Sequence, residues 1–314
     1  MKTAARRMAL ALAVAVVAGL SWSAGGGSPR PRAVILCWDG AKPAVMESMA
    51  RQGRLPAYGR LVRQGCAAPH AETVLPSSTL PSHVSMVTGV EPSVHGVTWN
   101  SARPGAVLGA DTIFEEAKKA GLRTALVVSK PKLLLLAKPG TVDDELLVEG
   151  EAGKTAAAAL RVLRERDPDL LFVHFRDPDE AGHDHGWGDT AAGAAPSPQY
   201  EAALRRCDKA TGRLLRALER DGRWGRTLLI LTADHGGRGK NHGSSDPQER
   251  TIPWVAAGGA AKACGPWPAV LSTCDTAATA LSALGLPVPQ TWSGRPAPVL
   301  APPEPAPREA KQAA

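Results

Sequence analysis

Four short hydrophobic runs constrain the fold of this chain more than any other feature of its sequence. They are residues 33–37 (AVILC), 124–128 (TALVV), 170–175 (LLFVHF) and 227–231 (TLLIL). Each run is nearly continuous, which is typical of parallel strands covered on both faces. Helical patterns occupy residues 112–120, 153–166, 199–220 and 275–284, and Thr112 with Glu115 forms a capping box at the start of the first. This alternation predicts one α/β domain with a central, mostly parallel, doubly wound sheet covered by helices on both faces.

Acidic residues follow three of these runs, where the predicted strands end. Asp39 follows the first run, Asp177 and Asp179 follow the third, and Asp234 follows the fourth. A single aspartate at such a position usually makes an Asx turn or caps a helix. Because ligands of open α/β sheets bind beyond the carboxyl ends of the strands, three strands that end this way indicate a shared site at one sheet edge.

Histidines accompany two of these acids. Asp179 lies near His183 in DPDEAGHDHG, and Asp234 precedes His235 and His242 in TADHGGRGKNHG. Carboxylates and imidazoles together suit zinc, with other divalent ions as alternatives. These candidate ligands exceed the needs of one tetrahedral site, so we expect two divalent metal ions, which can clamp the attacking and leaving oxygens of a phosphoryl displacement. The alternative is that the histidines make only hydrogen bonds within loops.

A hydroxyl-rich segment, LPSSTLPSHVSMVTG (75–89), leads into a further predicted helix. Pro81 suits the first turn of that helix. Backbone N–H groups and the helix dipole favour an anion there, so one hydroxyl among Ser77, Ser78 and Thr79 would be well placed to attack phosphate. The alternative is an ordinary capped loop.

Four motifs stand in order along the chain. They are CWDG (37–40), TLPSHVSMVTGVEPSVHGVTWNS (79–101), DPDEAGHDHGWG (177–188) and TADHGGRGKNHG (232–243). Together they resemble the metal and nucleophile motifs of the alkaline phosphatase superfamily, in particular its type I phosphodiesterase/nucleotide pyrophosphatase branch. The resemblance implies one zinc on Asp179, His183 and His242, and a second on Asp39, Asp234, His235 and the hydroxyl of Thr79. It also implies that Thr79 is the nucleophile and that Asn100 contacts a phosphoryl oxygen, which leaves Ser77 and Ser78 as turn residues.

The chain departs from the pattern of that branch in two places. It carries PSH at 81–83 where the branch usually carries Pro-Asn-His. Lys130 and Lys132 follow the second hydrophobic run, where some Thr-dependent phosphomonoesterases of the superfamily carry a Lys-x-Arg pair that clasps phosphoryl oxygens. We treat both lysines as candidate substrate-binding residues, with solvated loop charges as the alternative.

A sulfatase is disfavoured. Its nucleophile motif, C/S-x-P-x-R, overlays residues 79–83. Thr79 stands where formylglycine requires Cys or Ser, and His83 stands where the motif requires Arg.

The ends of the chain differ in composition from the predicted catalytic domain (32–300). Residues 1–23 combine a cationic start, an apolar stretch and small residues near the end, the pattern of a signal peptide. An uncleaved membrane anchor is the alternative, although the apolar run is short for a full span. Residues 24–31 are typical of a flexible leader, and residues 301–314 of a disordered Pro/Ala tail. We therefore expect an exported protein, periplasmic or secreted, with no stable membrane span after signal cleavage.

Charge and cysteine content add two expectations. The formal net charge of +7 comes from scattered cations without interleaved aromatics, so we expect no specific nucleic-acid binding face, while small anionic substrates would be attracted. Cys264 and Cys274 lie close in sequence and are the expected disulfide. Cys37 and Cys207 fall in strand and helix patterns and are expected to be small buried hydrophobes.

The sequence thus predicts a two-metal hydrolase of small-molecule phosphate esters, of phosphodiesterase/nucleotide pyrophosphatase type, that acts through a phosphothreonine at Thr79. Residues 101–110 and 186–198 are the expected pocket walls. A phosphomonoesterase that uses Lys130 and Lys132 is the first alternative. A metal-binding envelope protein without activity is the second, and the presence of a nucleophile beside a full ligand set argues against it.

Overall fold

The computed structural model describes residues 30–68, 70–261, 264, 267 and 270–300. The expected signal peptide (1–23), the leader up to residue 29 and the tail (301–314) lie outside these residues. Among the helices of the described ranges, none is both long and apolar enough to cross a membrane.

A mostly parallel sheet forms the centre of the fold. The strands of the described residues are β1 (Arg32–Trp38), β2 (Cys66–Ala67), β3 (Ala71–Glu72), β4 (Thr124–Val128), β5 (Asp144–Leu147), β6 (Leu170–Phe175), β7 (Thr227–Thr232), β8 (Trp254–Ala257) and β9 (Leu271–Ser272). Seven of them form one sheet in the order β2-β8-β7-β1-β6-β4-β5, while β3 pairs with β9. β1 runs parallel to β6 and β7, and β4 runs parallel to β5 and β6, whereas β8 is antiparallel to both of its neighbours. The predicted fold class is confirmed, and the four hydrophobic runs are β1, β4, β6 and β7.

Helices surround this sheet. Those of the described residues are α1 (Pro43–Arg51), α2 (Pro56–Gln64), α3 (Thr79–Thr88), α4 (Pro92–His95), α5 (Ile113–Lys119), α6 (Ala152–Glu165), α7 (Asp177–His185), α8 (Pro198–Arg220), α9 (Pro247–Arg250) and α10 (Asp275–Ala283), with 3-10 helices at Pro131–Leu136 and Trp224–Arg226. The four helical patterns predicted after residue 110 correspond to α5, α6, α8 and α10. At the predicted capping box, the Thr112 hydroxyl accepts the backbone N–H of Glu115 at 3.2 Å.

The sheet separates two hydrophobic cores, which explains the continuous runs. Val34, Leu36 and Trp38 of β1 pack on one side, against α1, α2, α6 and α8. The alternate residues of β1 pack on the other side, against α3, α5 and α10. Because both faces are covered, every residue of β1, β4, β6 and β7 is buried.

The predicted disulfide is wrong. Cys264 is bonded to Cys66, with the two Cα atoms 5.4 Å apart and a sequence separation of 198. Cys274 is a free, buried thiol just before α10, and burial raises its pKa to about 12. Closeness in sequence misled the prediction, because the loop after β8 folds back onto β2 and Cys274 packs beside Glu91. Cys37 and Cys207 are buried and free, as expected.

Replacing both Cys66 and Cys264 with Ala is expected to lower the free energy of unfolding by on the order of 5 kcal/mol, because the bridge closes a very long loop of the unfolded chain. Denaturant unfolding of the oxidised protein measures this loss. Under reducing conditions neither the wild type nor the double variant has the disulfide, so their free energies of unfolding should be similar. Peptide mapping that finds Cys264 linked to Cys274 would contradict the assignment.

Candidate functional site

Three neighbouring strands bring their terminal acids to one edge of the sheet. β7, β1 and β6 are adjacent, and Asp234, Asp39 and Asp179 follow them at their carboxyl ends. All three side chains are buried. Asp177 does not join them, since its carboxylate accepts the Ala152 N–H and pairs with Arg206.

The predicted ligands converge in two sets. One set, called M1 below, is Asp179, His183 and His242, and the other, M2, is Asp39, Asp234 and His235. Within each set, one ligand atom from each residue lies within 4.8 Å of the others. The sets adjoin, since Asp179 Oδ1 lies 3.8 Å from His235 Nε2 and the rings of His235 and His242 stack at 3.7 Å.

The donor atoms of both sets fit divalent cations. Asp39 Oδ1, Asp179 Oδ1 and Asp234 Oδ2 are buried and have no hydrogen-bond partner among the described residues. A buried carboxylate oxygen without a partner is costly unless a cation compensates it. Carboxylate oxygens mixed with imidazole nitrogens are the donors that zinc accepts.

Each histidine of the two sets is oriented by a backbone carbonyl. His183 Nδ1 donates to Lys240 O at 3.0 Å, His235 Nδ1 to Gly236 O at 2.7 Å, and His242 Nδ1 to Ser77 O at 2.9 Å. In every case Nε2 is left facing the carboxylates. Metal-binding histidines are commonly held in this way through their second nitrogen.

Thr79 is the first residue of α3, and its side chain is buried beside M2. Its Oγ1 lies 3.5 Å from His235 Nε2. Ser78 is the N-cap of α3, and the Ser77 hydroxyl donates to Ser244 O at 2.7 Å. Among the three hydroxyls, the structure therefore places that of Thr79 against a candidate metal set.

Asn100 lies beside the start of α3. Its Oδ1 accepts the Leu80 N–H and the Lys132 ammonium, each at 2.9 Å. These two donors hold the carbonyl side of the amide, and Nδ2, which has no hydrogen-bond partner among the described residues, can donate to a ligand beside the start of α3.

Lys130 joins the two sets. Its Nζ lies 2.5 Å from Asp39 Oδ2 and 2.5 Å from Asp179 Oδ2, one carboxylate from each set. Burial would lower the pKa of Lys130, but the charges of Asp39 and Asp179 raise it above its usual range. Lys130 is thus a half-buried counter-ion of both sets, paired with two carboxylates rather than carrying a solvated loop charge.

The two carboxylates of M2 are both buried, and their negative charges repel each other. Burial would raise the pKa of Asp39, but Lys130 and His174 hold it well below its usual range. For Asp234, burial and the neighbouring Asp39 charge raise the pKa to about 6. The edge of the sheet therefore carries an excess of buried negative charge that favours cations.

Two further histidines belong to this region and were not predicted from the sequence. His174 of β6 donates from Nε2 to Asp39 Oδ2 at 2.8 Å, and its Nδ1 lies 3.0 Å from Ser129 Oγ. His83 donates from Nδ1 to Thr79 O at 2.7 Å. Burial lowers the pKa of both to about 4, so both are neutral at physiological pH. The available signal was a histidine inside LLFVHF, a run that otherwise has no polar side chain.

A cavity of about 330 Å³ opens beside Leu80, the residue after Thr79. Its walls are residues 101–107 and 131–139, so the first expected pocket wall (101–110) contributes and the second (186–198) does not. No aromatic ring lines it among the described residues, and its cations are Arg103, Lys132 and Lys138.

Comparisons with known proteins indicate the family of this chain. The family model "Type I phosphodiesterase / nucleotide pyrophosphatase" matches residues 33–244. Venom phosphodiesterase 2 of Crotalus adamanteus is 24% identical over 223 residues, which cover 65% of this chain and 26% of that protein. The catalytic subunit of GPI ethanolamine phosphate transferase 2 of Homo sapiens is 28% identical over 251 residues, which cover 76% and 25%. The chain thus spans about a quarter of the length of these curated relatives.

Among solved structures, murine ectonucleotide pyrophosphatase/phosphodiesterase 5 in complex with AMP has a similar fold, with a TM-score of 0.66. The similarity covers 84% of this chain and 98% of that chain, at 15% identity.

Proposed function

Since the chain belongs to the type I phosphodiesterase/nucleotide pyrophosphatase family of the alkaline phosphatase superfamily, we propose that it is a metal-dependent hydrolase of phosphate diesters or pyrophosphates that acts through Thr79. The observation that carries the proposal is the position of the Thr79 hydroxyl, at the start of α3 and 3.5 Å from His235 of M2. A protein that only binds metal would not need a hydroxyl there.

M1 and M2 are proposed to hold two divalent ions, with zinc favoured by the mixed carboxylate and imidazole donors. When bound, such ions lower the pKa of a nearby hydroxyl and stabilise negative charge on the leaving oxygen. Lys130, which contacts one carboxylate of each set, keeps Asp39 ionised and holds the side chains of Asp39 and Asp179 in place.

The proposed reaction has two covalent steps, with a phosphothreonine between them. Thr79 Oγ1 forms a bond to phosphorus while the bond from phosphorus to the leaving oxygen breaks, and the hydroxyl proton passes to solvent. The leaving group takes up a proton as an alcohol from a diester, or departs as a phosphate from a pyrophosphate. Water then breaks the bond between phosphorus and Oγ1, which releases a phosphomonoester and restores Thr79. Asn100 Nδ2 donates to a phosphoryl oxygen as its charge develops, and the dipole of α3 favours negative charge at this end of the helix.

A diester is favoured over a monoester by the surroundings of Thr79. The cavity beside Leu80 offers room for a second organic substituent on phosphorus. Lys130 is engaged by two carboxylates and Lys132 by Asn100, so neither ammonium stands free to bind the extra charge of a monoester. Phosphomonoesterase activity remains the second candidate, because both lysines lie at the edge of the site.

Replacing Lys132 with Ala distinguishes the two candidates. If Lys132 acts by orienting Asn100, hydrolysis of a diester and of a monoester should fall by a similar factor. If its ammonium binds the monoester dianion, monoester hydrolysis alone should fall by roughly 10²–10³. Paired assays with bis(p-nitrophenyl) phosphate and p-nitrophenyl phosphate measure both rates.

Lys138→Ala is the matched control, since Lys138 lines the same cavity but pairs with Glu115 at 2.7 Å. The double substitution of Lys130→Ala with Lys132→Ala distinguishes the two candidate activities less well. Lys130 contacts proposed metal ligands, so its loss should depress diester and monoester hydrolysis alike. A loss confined to the monoester would overturn the diesterase proposal.

We also propose that the protein is exported. The pattern of residues 1–23 supports this, as does the Cys66–Cys264 disulfide, because such bonds persist in oxidising compartments. Expression in a bacterial host, followed by N-terminal sequencing of the periplasmic fraction, should give a mature chain that begins at Ala24. A full-length chain retained in the membrane would instead support the uncleaved anchor.

A further inference from the structure

Trp187 lies in the loop that follows α7, and its side chain is fully buried. Its indole ring packs against the backbone of three segments that carry the proposed metal ligands. A Cβ atom added at Gly182 would lie 2.2 Å from the ring, one at Gly237 would lie 2.3 Å from it, and one at Gly40 would lie 3.1 Å from it. Gly40 follows Asp39, Gly182 precedes His183, and Gly237 comes two residues after His235.

Hydrogen bonds join the same segments through Trp187. Its Nε1–H donates to Gly40 O at 2.7 Å, and the Tyr200 hydroxyl donates to the same carbonyl at 2.8 Å. The backbone N–H of Trp187 donates to Gly239 O at 2.8 Å, in the loop that leads to His242. One residue therefore fastens the loops after β1 and β7 to the end of α7.

The ring also touches two ligands of M1 directly. Trp187 meets the His183 imidazole edge to face, with ring centroids 4.9 Å apart and an interplanar angle of 80°. It meets His242 in the same manner at 5.9 Å and 79°. These contacts restrict the rotation of both imidazoles about their side-chain bonds.

We propose that Trp187 is the positioning residue that sets the geometry of M1 and its distance from M2. A rigid indole between three backbones fixes their spacing, because protein interiors are close-packed and a smaller side chain would let the loops shift. Ligand geometry must be held within a few tenths of an ångström, so such a shift weakens metal binding even when every ligand is present. This inference rests on the metal sites of the proposed function.

The same geometry accounts for glycine at 182 and 237. The indole occupies the space that a side chain at either position would need. Gly182 lies within α7 and its backbone conformation does not itself require glycine, so the ring is the constraint there. Gly182→Ala should therefore push Trp187 and α7 apart and displace Asp179 and His183, which flank that position.

The test compares Trp187→Phe with Trp254→Phe. Trp254 is also buried, lies on β8, and donates from its indole to Thr276 at 3.0 Å. We expect Trp187→Phe to weaken zinc binding by roughly 10–100-fold, measured by competition with a chromogenic chelator, and to alter the visible spectrum of the cobalt-loaded protein. Trp254→Phe should leave affinity and spectrum unchanged, although both variants lower thermal stability.

A substitution cycle provides the second measurement. Gly182→Ala should weaken zinc binding in the wild-type background but much less in the Trp187→Phe background, because the smaller ring leaves room for the methyl group. Gly153→Ala, where an added Cβ meets nothing within 4 Å, is the control. Wild-type zinc affinity in Trp187→Phe would overturn this inference but not the proposed function. Additive effects of Gly182→Ala and Trp187→Phe on zinc affinity would do the same. A wild-type protein that binds no zinc or cobalt would overturn the proposed function together with it.

Discussion

Thr79→Ala lowers the rate of diester hydrolysis by roughly 10⁴-fold or more, the expected result if Thr79 is the nucleophile of a covalent mechanism. The substitution removes the hydroxyl 3.5 Å from His235 and leaves the backbone of α3 in place. Oγ1 makes this one weak contact among the described residues, so the free energy of unfolding should change little. Steady-state assays with bis(p-nitrophenyl) phosphate and a thermal melt measure the two quantities.

Ser78→Ala is the matched control for that substitution. Ser78 is the adjacent hydroxyl and the N-cap of α3, but its side chain makes no capping hydrogen bond. Ser78→Ala should therefore hydrolyse the diester at a rate near that of the wild type. Mass spectrometry of acid-quenched enzyme should find phosphate on Thr79 in the wild type and none in Thr79→Ala. If Ser78→Ala were inactive while Thr79→Ala kept its rate, the nucleophile would be Ser78.

The strands at the centre of the sheet could be predicted from the sequence, but those at its edges could not. β1, β4, β6 and β7 are buried on both faces, so each is a continuous apolar run. β5 alternates between half-buried and exposed residues, and β2 has two residues. Short edge strands carry too few positions for a period to stand out, and their pairing depends on neighbours far away in sequence.

Part of the candidate site could also be predicted from the sequence, and part could not. Parallel topology brings the ends of β7, β1 and β6 together, so the convergence of Asp39, Asp179 and Asp234 follows from strand order and could be expected. The bridge that Lys130 makes between Asp39 and Asp179 could not be expected, because it depends on where the 3-10 helix at Pro131–Leu136 begins. His174 could not be assigned to the site from the sequence, because a polar residue inside a buried strand does not indicate which side chain it contacts.

Asp234→Asn tests the metal sites directly, and its expected effects have opposite signs for metal binding and for stability. The amide keeps the oxygen that accepts the N–H groups of Gly40 and His235, both at 3.0 Å. It removes the negative charge of Asp234, whose Oδ2 has no hydrogen-bond partner among the described residues. Elemental analysis at saturation should find two ions per wild-type chain and one in the variant, with diester hydrolysis abolished in the variant and in chelator-treated wild type. One ion per wild-type chain would contradict the two-site proposal.

In the chelated protein the same substitution should be stabilising. Burial and the Asp39 charge raise the folded pKa of Asp234 to about 6, above the value of 3.8 for an unperturbed aspartate. Between pH 4 and 6 the folded state therefore binds more protons than the unfolded state, so this group lowers the free energy of unfolding as the pH rises through that window. At pH 7 the metal-free Asp234→Asn protein should therefore be more stable than metal-free wild type. Asp208→Asn is the control: this buried carboxylate, whose pKa burial also raises, caps α2 and should leave two ions bound. If chelated wild type were the more stable of the pair, Asp234 would be held by protein contacts rather than poised for a cation.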